Sequence, residues 1–388
     1  MSLVTPSKAT PSQFVRLALI LLTSLALAFT ATAEPGKDSA TKTAADPLKL
    51  QSAGQLTFGP DDVLFVADSV GTAVYAIQLK DTDKPSDEEL PGIADVDEKV
   101  AGLLGTTPRD VLIQDIAVHP TSKNIYLSVS RGRGDDATPV ILRVDGKGEF
   151  AVVELEGAAH TKAMIANAPA EDAKTRRGRP MRALTITDIA YSDGNLYVAG
   201  LSNEEFASNL RQIPYPFTGA MNATSVEIYH GAHGKYETHA PISTLMPYEI
   251  EGEAHLLAAY TCTPLVTFPV GKLEDGAHVK GTTIAELGFG NRPLDMISFN
   301  KKGEPYILVL NSSRGGMKIA PDDVAKAKAL REDVDITRDN PTAGVPYVTL
   351  PMGGVLRVDT FDDENLVVLR RDVSSGSLQL RLWKTEWI

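Results

Sequence analysis

The sequence predicts an all-β protein, a six-bladed β-propeller, from two observations. A block that reads apolar strand, short polar turn, apolar strand, polar loop, apolar strand recurs about six times, starting at Leu56, Ile113, Ile186, Tyr248, Leu294 and Leu356. Repeats of roughly 40–50 residues that are built of β-hairpins are typical of propellers. Turns such as Asp145-Gly146 tolerate positive φ and indicate the hairpins inside each block. Seven blades are the alternative, if the long segments between blocks contain another one.

The chain begins with the pattern of a secretory signal peptide. Lys8 and Arg16 precede a continuous apolar run, and Ala31-Thr32-Ala33 has the small-x-small pattern of a cleavage site. The run is shorter than the about 20 apolar residues that a membrane span needs. The sequence therefore predicts a periplasmic or secreted protein with a signal peptide at 1–33, a flexible leader at 34–47 and a single propeller domain at 48–388.

The last block ends near Trp383 with three strands, whereas a complete blade has four. A short strand-like piece, Leu48-Lys49-Leu50, precedes the first block. We expect this N-terminal strand to complete the last blade, because closing the ring removes an exposed sheet edge. In the fifth block, residues 321–331 begin with Pro and two acids and continue in helix formers, which predicts one short inserted helix.

Two long segments, 157–182 and 203–224, lack a strand pattern and are expected to be insertions. One joins two blades and the other follows a second strand, and such loops open on the same face of a propeller. Loops gathered on one face of a rigid scaffold commonly carry binding sites. The sequence therefore predicts a functional face where the second strands end.

The composition excludes some classes of function. A formal net charge of −12 argues against binding to nucleic acids and to anionic membrane surfaces. Cys262 is the only cysteine, so the chain has no internal disulfide, and its thiol is expected to be buried, reactive or engaged with a ligand. We find no Gly-x-Ser-x-Gly elbow for nucleophilic catalysis.

The blade pattern resembles that of the six-bladed propellers of the SMP-30/gluconolactonase, strictosidine-synthase-like and NHL-repeat groups. It is carried by Asp188-Ile189-Ala190 with Leu196-Tyr197-Val198-Ala199, and by Leu64-Phe65-Val66-Ala67-Asp68. The resemblance covers most of the predicted domain at the level of this pattern. Its lactonase-like members hold a divalent cation near the ring axis with Glu, Asn and Asp side chains. By residue type, the candidate metal ligands that this resemblance implies are Asp68, Glu204 and Asn311.

Each block changes from apolar to polar residues where its second strand ends, and arginines recur there in an acidic chain. Guanidinium groups suit carboxylate, sulfate or phosphate, which predicts an anion-binding mouth. The alternative is that these arginines pair with acids of adjacent blades. Arg131 and Arg314, in the second and fifth blocks, are expected to face each other across the ring. The candidate ligand-binding residues are Arg131, Arg314, Arg292, Arg211, Tyr260, Cys262 and Asn203.

Two further groups of side chains each allow a structural and a metal-binding interpretation. Asp115, Asp188 and Asp295 precede inner strands at equivalent positions, where they either bond backbone amides of the neighbouring blade or coordinate a cation. The first interpretation is favoured. His230, His233 and His239 form the densest histidine cluster, which either binds zinc or copper or belongs to an exposed turn on the face opposite the insertions. The turn is favoured.

Two classes of function remain open from the sequence. The first is an exported binding module that holds a small anionic ligand or a protein partner at the loop-bearing face of the central channel. The second is a periplasmic lactonase-like hydrolase with one divalent cation at the channel mouth. A copper or redox site at Tyr260 and Cys262 is a third hypothesis.

Overall fold

The computed structural model describes residues 47–388 except 87–89, 176–177, 262, 289 and 338–340. The predicted signal peptide and nearly all of the predicted leader lie outside the described residues. Two α-helices occur in the described part, α1 (Val96–Leu104) and α2 (Pro321–Ala325). No helix there is long and apolar enough to cross a membrane. Seven short 3₁₀ turns complete the helical structure of these ranges: Pro60–Asp62, Pro108–Asp110, Gly134–Asp136, Arg182–Leu184, Gly231–His233, Val270–Lys272 and Thr385–Trp387.

Six sheets of antiparallel strands form the blades, which confirms the predicted six-bladed propeller. From the inner to the outer strand, blade 1 contains Leu56–Phe58, Val63–Asp68, Ala73–Gln78 and His160–Met164. Blade 2 contains Val111–Val118, Ile125–Arg131, Thr138–Val144 and Phe150–Val152, and blade 3 contains Asp188–Ser192, Asn195–Leu201, Ser208–Pro214 and Asn222–His230. Blade 4 contains Ile242–Ile250, Glu253–Tyr260, Pro264–Pro269 and Thr282–Glu286. Blade 5 contains Pro293–Lys301, Glu304–Asn311, Gly315–Ile319 and Val348–Leu350, and blade 6 contains Val355–Thr360, Asn365–Arg371 and Leu378–Lys384.

Three short strands extend two of these sheets at their outer edges. Lys235–Glu237 pairs antiparallel, and His278–Lys280 parallel, with the last strand of blade 3. Ala343–Gly344 pairs with the outer strand of blade 4. These additions thicken the rim of the propeller on the side of blades 3 and 4.

Six apolar clusters hold the blades together, one between each pair of neighbouring sheets. The second strands are buried on both faces because each sheet is packed between two others, as Val63–Asp68 shows. In one cluster, Phe65 of blade 1 packs with Ile189 and Ile213 of blade 3. The residues of each cluster therefore show which two blades are neighbours.

The blades do not stand around the ring in chain order. The inner strands are adjacent in the order blade 1, 3, 4, 5, 6, 2 and back to 1. Blade 2 lies between blades 6 and 1, and one apolar cluster joins it to each of them. After blade 2 the chain returns to blade 1 and adds its fourth strand, His160–Met164. Blade 1 is thus built from two segments on either side of blade 2.

The expected closure of blade 6 by an N-terminal strand at residues 48–50 is wrong. Residues 47–50 form no strand, and Leu48 and Leu50 pack against the cluster between blades 1 and 2. Ile93 instead pairs with Leu380 of blade 6, and the two residues exchange backbone hydrogen bonds of 2.8 and 2.9 Å. The physical reason is the ring order, because the chain passes the open edge of blade 6 immediately before it enters blade 2.

Helix α1 follows this bridge and was not expected from the sequence. Its buried residues Val96, Val100 and Ala101 pack in the cluster between blades 6 and 2. Gly105 ends the helix at φ 62°, a left-handed conformation that glycine adopts without strain. The helix therefore anchors the segment that leads into blade 2 against the boundary between blades 6 and 2.

The two expected insertions contain regular structure. Segment 203–224 includes the third strand of blade 3, Ser208–Pro214, and segment 157–182 includes the outer strand of blade 1, His160–Met164. The strand His160–Met164 was missed because it pairs with Ala73–Gln78, which is distant in the chain. Ser208–Pro214 pairs with its neighbours in the chain, so its distance from a partner does not explain why it was missed. The inserted helix in blade 5 is confirmed as α2, and it is shorter than expected.

A disulfide experiment distinguishes the two ways of closing blade 6. Residues that exchange both backbone hydrogen bonds have Cα atoms about 5.5 Å apart, which suits a disulfide. In a Cys262→Ser background, we expect the pair Ile93→Cys and Leu380→Cys to oxidise, as seen by altered migration on a non-reducing gel. The matched pair Leu48→Cys and Leu380→Cys should stay reduced, and the opposite result would restore closure by the N-terminal segment.

Candidate functional site

An axial channel runs between the six inner strands. On the face where the inner strands begin, here called the entry face, it opens as a cavity of about 300 Å³. On the other face, the exit face, it opens as a cavity of about 530 Å³. Asp115, Asp188 and Asp295 line both cavities and mark the level at which the two meet.

The axial carboxylates bond backbone amides of the neighbouring blade. The Asp188 Oδ1 atom accepts a hydrogen bond from Ile189 in its own strand, and its Oδ2 atom accepts one from the next blade. The favoured interpretation of Asp115, Asp188 and Asp295 as structural residues is thus confirmed. The interblade bonds join the amide of Leu56 to Asp115 (2.9 Å), Leu245 to Asp188 (2.7 Å), Val358 to Asp295 (2.9 Å) and Val118 to Asp359 (2.7 Å).

Serine hydroxyls join the two remaining pairs of neighbouring blades. Ser243 of blade 4 donates to the carbonyl of Pro293 in blade 5 at 2.8 Å. Ser69 of blade 1 donates to the carbonyl of Ile186, before blade 3, at 2.8 Å. Each boundary of the ring thus has a polar bond in addition to its apolar cluster.

Arg357 occupies the position in blade 6 that Asp115 and Asp295 occupy in theirs, directly after a bulge in the inner strand. Its Nε atom lies 3.4 Å from Asp115 Oδ1 and donates to the carbonyl of Gln114 at 2.6 Å. Its Nη1 atom donates to the carbonyl of Leu294 at 3.0 Å. One guanidinium therefore connects blades 2, 5 and 6. Sequence reasoning missed Arg357, although alignment of the inner strands could have found it.

The environment raises the pKa of every axial carboxyl. Burial, followed by the charge of Asp295, raises the pKa of Asp188 to about 7. Burial raises the pKa of Asp359 to about 7 as well, against hydrogen bonds from Val118 and Thr360. The pKa values of Asp115 and Asp295 are also raised by burial, and Arg357 opposes the rise in both. Protons therefore bind these carboxyls more tightly than they bind ordinary aspartates.

The two mouths of the channel differ in charge. The entry mouth carries Arg292, which is exposed and forms no salt bridge within the described ranges, and below it Arg357. Polar side chains surround them: Gln55, Gln114, Thr187, Ser243, Thr244 and Thr261. The exit mouth carries Asp359, Asp362 and Asp363, with Lys123. An anion is therefore better accommodated on the entry face, where the second strands also end.

The expectation that Arg131 and Arg314 face each other across the ring is wrong. They belong to blades 2 and 5, which the ring order separates by blade 6 alone. Arg131 is exposed and its Nη2 atom lies 3.5 Å from the Gly105 carbonyl, while Arg314 packs against Gly288. Neither lines the channel. Of the arginines proposed from the sequence, the structure places Arg292 at the mouth.

The other predicted ligand-binding residues that the structure describes do not line the channel. Arg211 is 1% exposed and its guanidinium donates to the carbonyls of Thr185 and Leu201 at 3.4 and 3.3 Å. Burial lowers its pKa to about 10. Burial also raises the pKa of Tyr260, which is equally inaccessible. Asn203 lies exposed in the loop after the second strand of blade 3, and Cys262 lies outside the described residues.

The three metal-ligand candidates do not line the channel in the described ranges. Asp68 is fully buried, and its carboxylate accepts hydrogen bonds from Ser52 and from the amides of Gln51 and Gly71, all at 2.8 Å. Asn311 is held by Asn291 at 2.6 Å. The exposed Glu204 accepts a bond from Asn167 at 2.9 Å. These contacts tie neighbouring loops together.

The expectation that His230 and His233 lie on the face opposite the functional face is wrong. His230 ends the fourth strand of blade 3, which runs towards the entry face. Its Nε2 atom is 3.2 Å from the hydroxyl of Thr263, in the loop after the second strand of blade 4. In sequence, this turn resembles the one at 145–148, which joins the third and fourth strands of blade 2. It follows a fourth strand instead, and it therefore lies on the other face.

No protein-family model matches the chain. No curated protein matches it either. Among solved structures, 313 chains match. One, titled "Crystal Structure of Mitotic Checkpoint Complex", is 10% identical, with a TM-score of 0.32 over 94% of this chain and 99% of that chain.

The axial aspartates make stability depend on pH. The ordinary pKa is 3.8, and Asp188 and Asp359 have pKa values of about 7 in the folded protein. The folded state then binds more protons than the unfolded state, so the free energy of unfolding falls as the pH rises from about 4 to about 7. We expect Asp188→Asn to flatten this dependence in urea titrations at several pH values. Exposed Asp172 provides the control Asp172→Asn, and equal slopes in both variants would contradict the assignment.

Proposed function

We propose that this protein is an exported propeller that binds a small anionic ligand at the entry mouth of its axial channel. Arg292 carries the proposal, since it is an exposed guanidinium at the rim of a cavity in a chain of net charge −12. Arginine presents several N–H donors in a planar fork and suits carboxylate and phosphate groups. Export rests on the signal-peptide pattern of residues 1–33.

The size and lining of the entry cavity fit a small ligand. Its volume of about 300 Å³ lies at the lower end of the range for ligand pockets, roughly 300–1,000 Å³. Ser243 and Thr261 line the mouth, and their hydroxyls donate to the carbonyls of Pro293 and Pro241, so their remaining lone pairs can accept from hydroxyl groups of a ligand. We therefore infer a small hydroxylated acid as the ligand class.

The floor of the cavity adds a pH dependence to binding. Because the pKa of Asp188 is raised to about 7, this carboxyl is neutral in acidic solution and does not repel an anion. Above about pH 7 the same group is charged and repels the ligand. Affinity for anions is therefore expected to fall as the pH rises through this value.

The lactonase-like alternative receives less support from the contacts at the channel. A cation at the mouth needs carboxylate oxygens that face the cavity. The amide donors of neighbouring strands occupy oxygens of Asp115, Asp188 and Asp295. Arg292 and Arg357 also add positive charge beside the same cavity. Binding of an anion is the function that this arrangement favours.

Substitution of Arg292 tests the proposed function. Titration calorimetry with D-gluconate, citrate and inorganic phosphate should show binding of at least one of these probes to the wild-type protein. Arg292→Ala should weaken that binding about ten- to a hundred-fold, which corresponds to the roughly 1.5–3 kcal/mol of a hydrogen bond to a charged group. Because Arg292 is exposed, the melting temperature should change little.

Arg131→Ala is the matched control, because Arg131 is an exposed arginine on the same face and does not line the cavity. We expect it to bind the probe as the wild type does. Loss of binding in Arg131→Ala alone would move the site to the rim of blade 2. A wild-type protein that binds none of the three probes would contradict the proposed function, and binding of a protein instead would favour the partner alternative.

A further inference from the structure

A second group of side chains on the entry face lies outside the channel. His230, His233 and Glu237 follow one another around the tight turn at the end of the fourth strand of blade 3. One potential ligand atom from each lies within 4.8 Å of the others. None of the three lines the axial cavities. The hairpin pairing of Tyr229 with Tyr236 and His230 with Lys235 fixes this arrangement.

Both imidazoles direct the same ring atom at one carboxylate. The Nδ1 atom of His230 is 3.1 Å from Glu237 Oε2, and the Nδ1 atom of His233 is 2.9 Å from Glu237 Oε1. A neutral imidazole nitrogen without a proton and a carboxylate oxygen are both lone-pair donors. At these separations such a pair needs a cation between its atoms, either a proton or a metal ion.

Contacts behind His230 favour a tautomer that leaves its Nδ1 atom available. Its Nε2 atom is 3.2 Å from Thr263 Oγ1 and 3.8 Å from Glu286 Oε2. Glu286 is fully buried, and it accepts hydrogen bonds from the Thr263 hydroxyl and from the amide of Gly231. A histidine that binds a metal commonly donates its other N–H to such an oxygen, which fixes the ring.

We propose that His230 Nδ1, His233 Nδ1 and the Glu237 carboxylate bind one divalent transition metal ion of the zinc class. Two imidazoles and one carboxylate form a ligand set that zinc uses in proteins, with a fourth position for water. His230 is 1% exposed and the His233 side chain 49% exposed, so the site is anchored on one side and open to solvent on the other. Lys235 Nζ lies 3.5 Å from Glu237 Oε1 on the exposed side, and a metal bound between the Nδ1 atoms and the carboxylate replaces the protons now shared there.

Cobalt binding tests this site on the tag-free full chain. After treatment with a chelator and dialysis, the protein is titrated with Co²⁺ and then with Zn²⁺. We expect one Co²⁺ per chain with the visible absorption of a four-coordinate ion, and its loss when Zn²⁺ is added. His233→Ala and Glu237→Gln should each weaken zinc binding at least ten-fold. His239→Ala removes an exposed neighbouring histidine and should leave binding unchanged.

The buried hydroxyl of Thr263, which contacts His230 Nε2, allows a second test. Thr263→Val should lower zinc affinity about ten- to a hundred-fold, the range for partners that orient a ligating histidine. Because His233 is half-exposed, its substitution tests binding without a large effect on folding. A wild-type protein that binds less than one equivalent of either metal would overturn the proposal. Zinc binding of wild-type strength in both His233→Ala and Glu237→Gln would also overturn it.

Discussion

The hydrogen bonds between axial carboxylates and the amides of neighbouring inner strands are the interaction on which the rest of the structure depends. Apolar packing brings the blades together, but it is not directional and does not by itself set their register. A carboxylate that accepts one amide from its own strand and one from the next, as Asp295 does with Met296 and Val358, fixes two blades in register. Asp359 does the same at the boundary between blades 6 and 2, where the chain order is interrupted.

These bonds also determine the chemistry of the channel. Carboxyls that hold the ring together must lie at its axis, where burial raises their pKa values and repulsion by Asp295 adds to the rise in Asp115 and Asp188. Arg357 is stabilised at the same place because it lies beside the charge of Asp115 and donates to surrounding carbonyls. Arg292 then remains at the entry rim with exposed positive charge. The proposed anion site is a consequence of how the ring is closed.

The sequence predicted what depends on local pattern. Strand periodicity gave the blades, and the repeat position of Asp115, Asp188 and Asp295 gave their structural role. The ring order could not be predicted, because no local signal reveals that 160–164 returns to blade 1 or that Ile93 reaches Leu380. The expectation that Arg131 and Arg314 lie opposite each other was wrong for this reason. Helix α1 was within reach, since Val96, Val100 and Leu104 recur at a spacing of four.

Hydrogen exchange at single amides tests the role of the axial carboxylates most directly. In the wild-type protein, the amides of Leu56, Val118, Leu245 and Val358 should exchange as slowly as those in the buried second strands. Asp188→Ala should accelerate exchange at Leu245 far more than at Val358, because Asp188 accepts from the first amide and Asp295 from the second. Equal acceleration at both amides, or none at Leu245, would contradict the account.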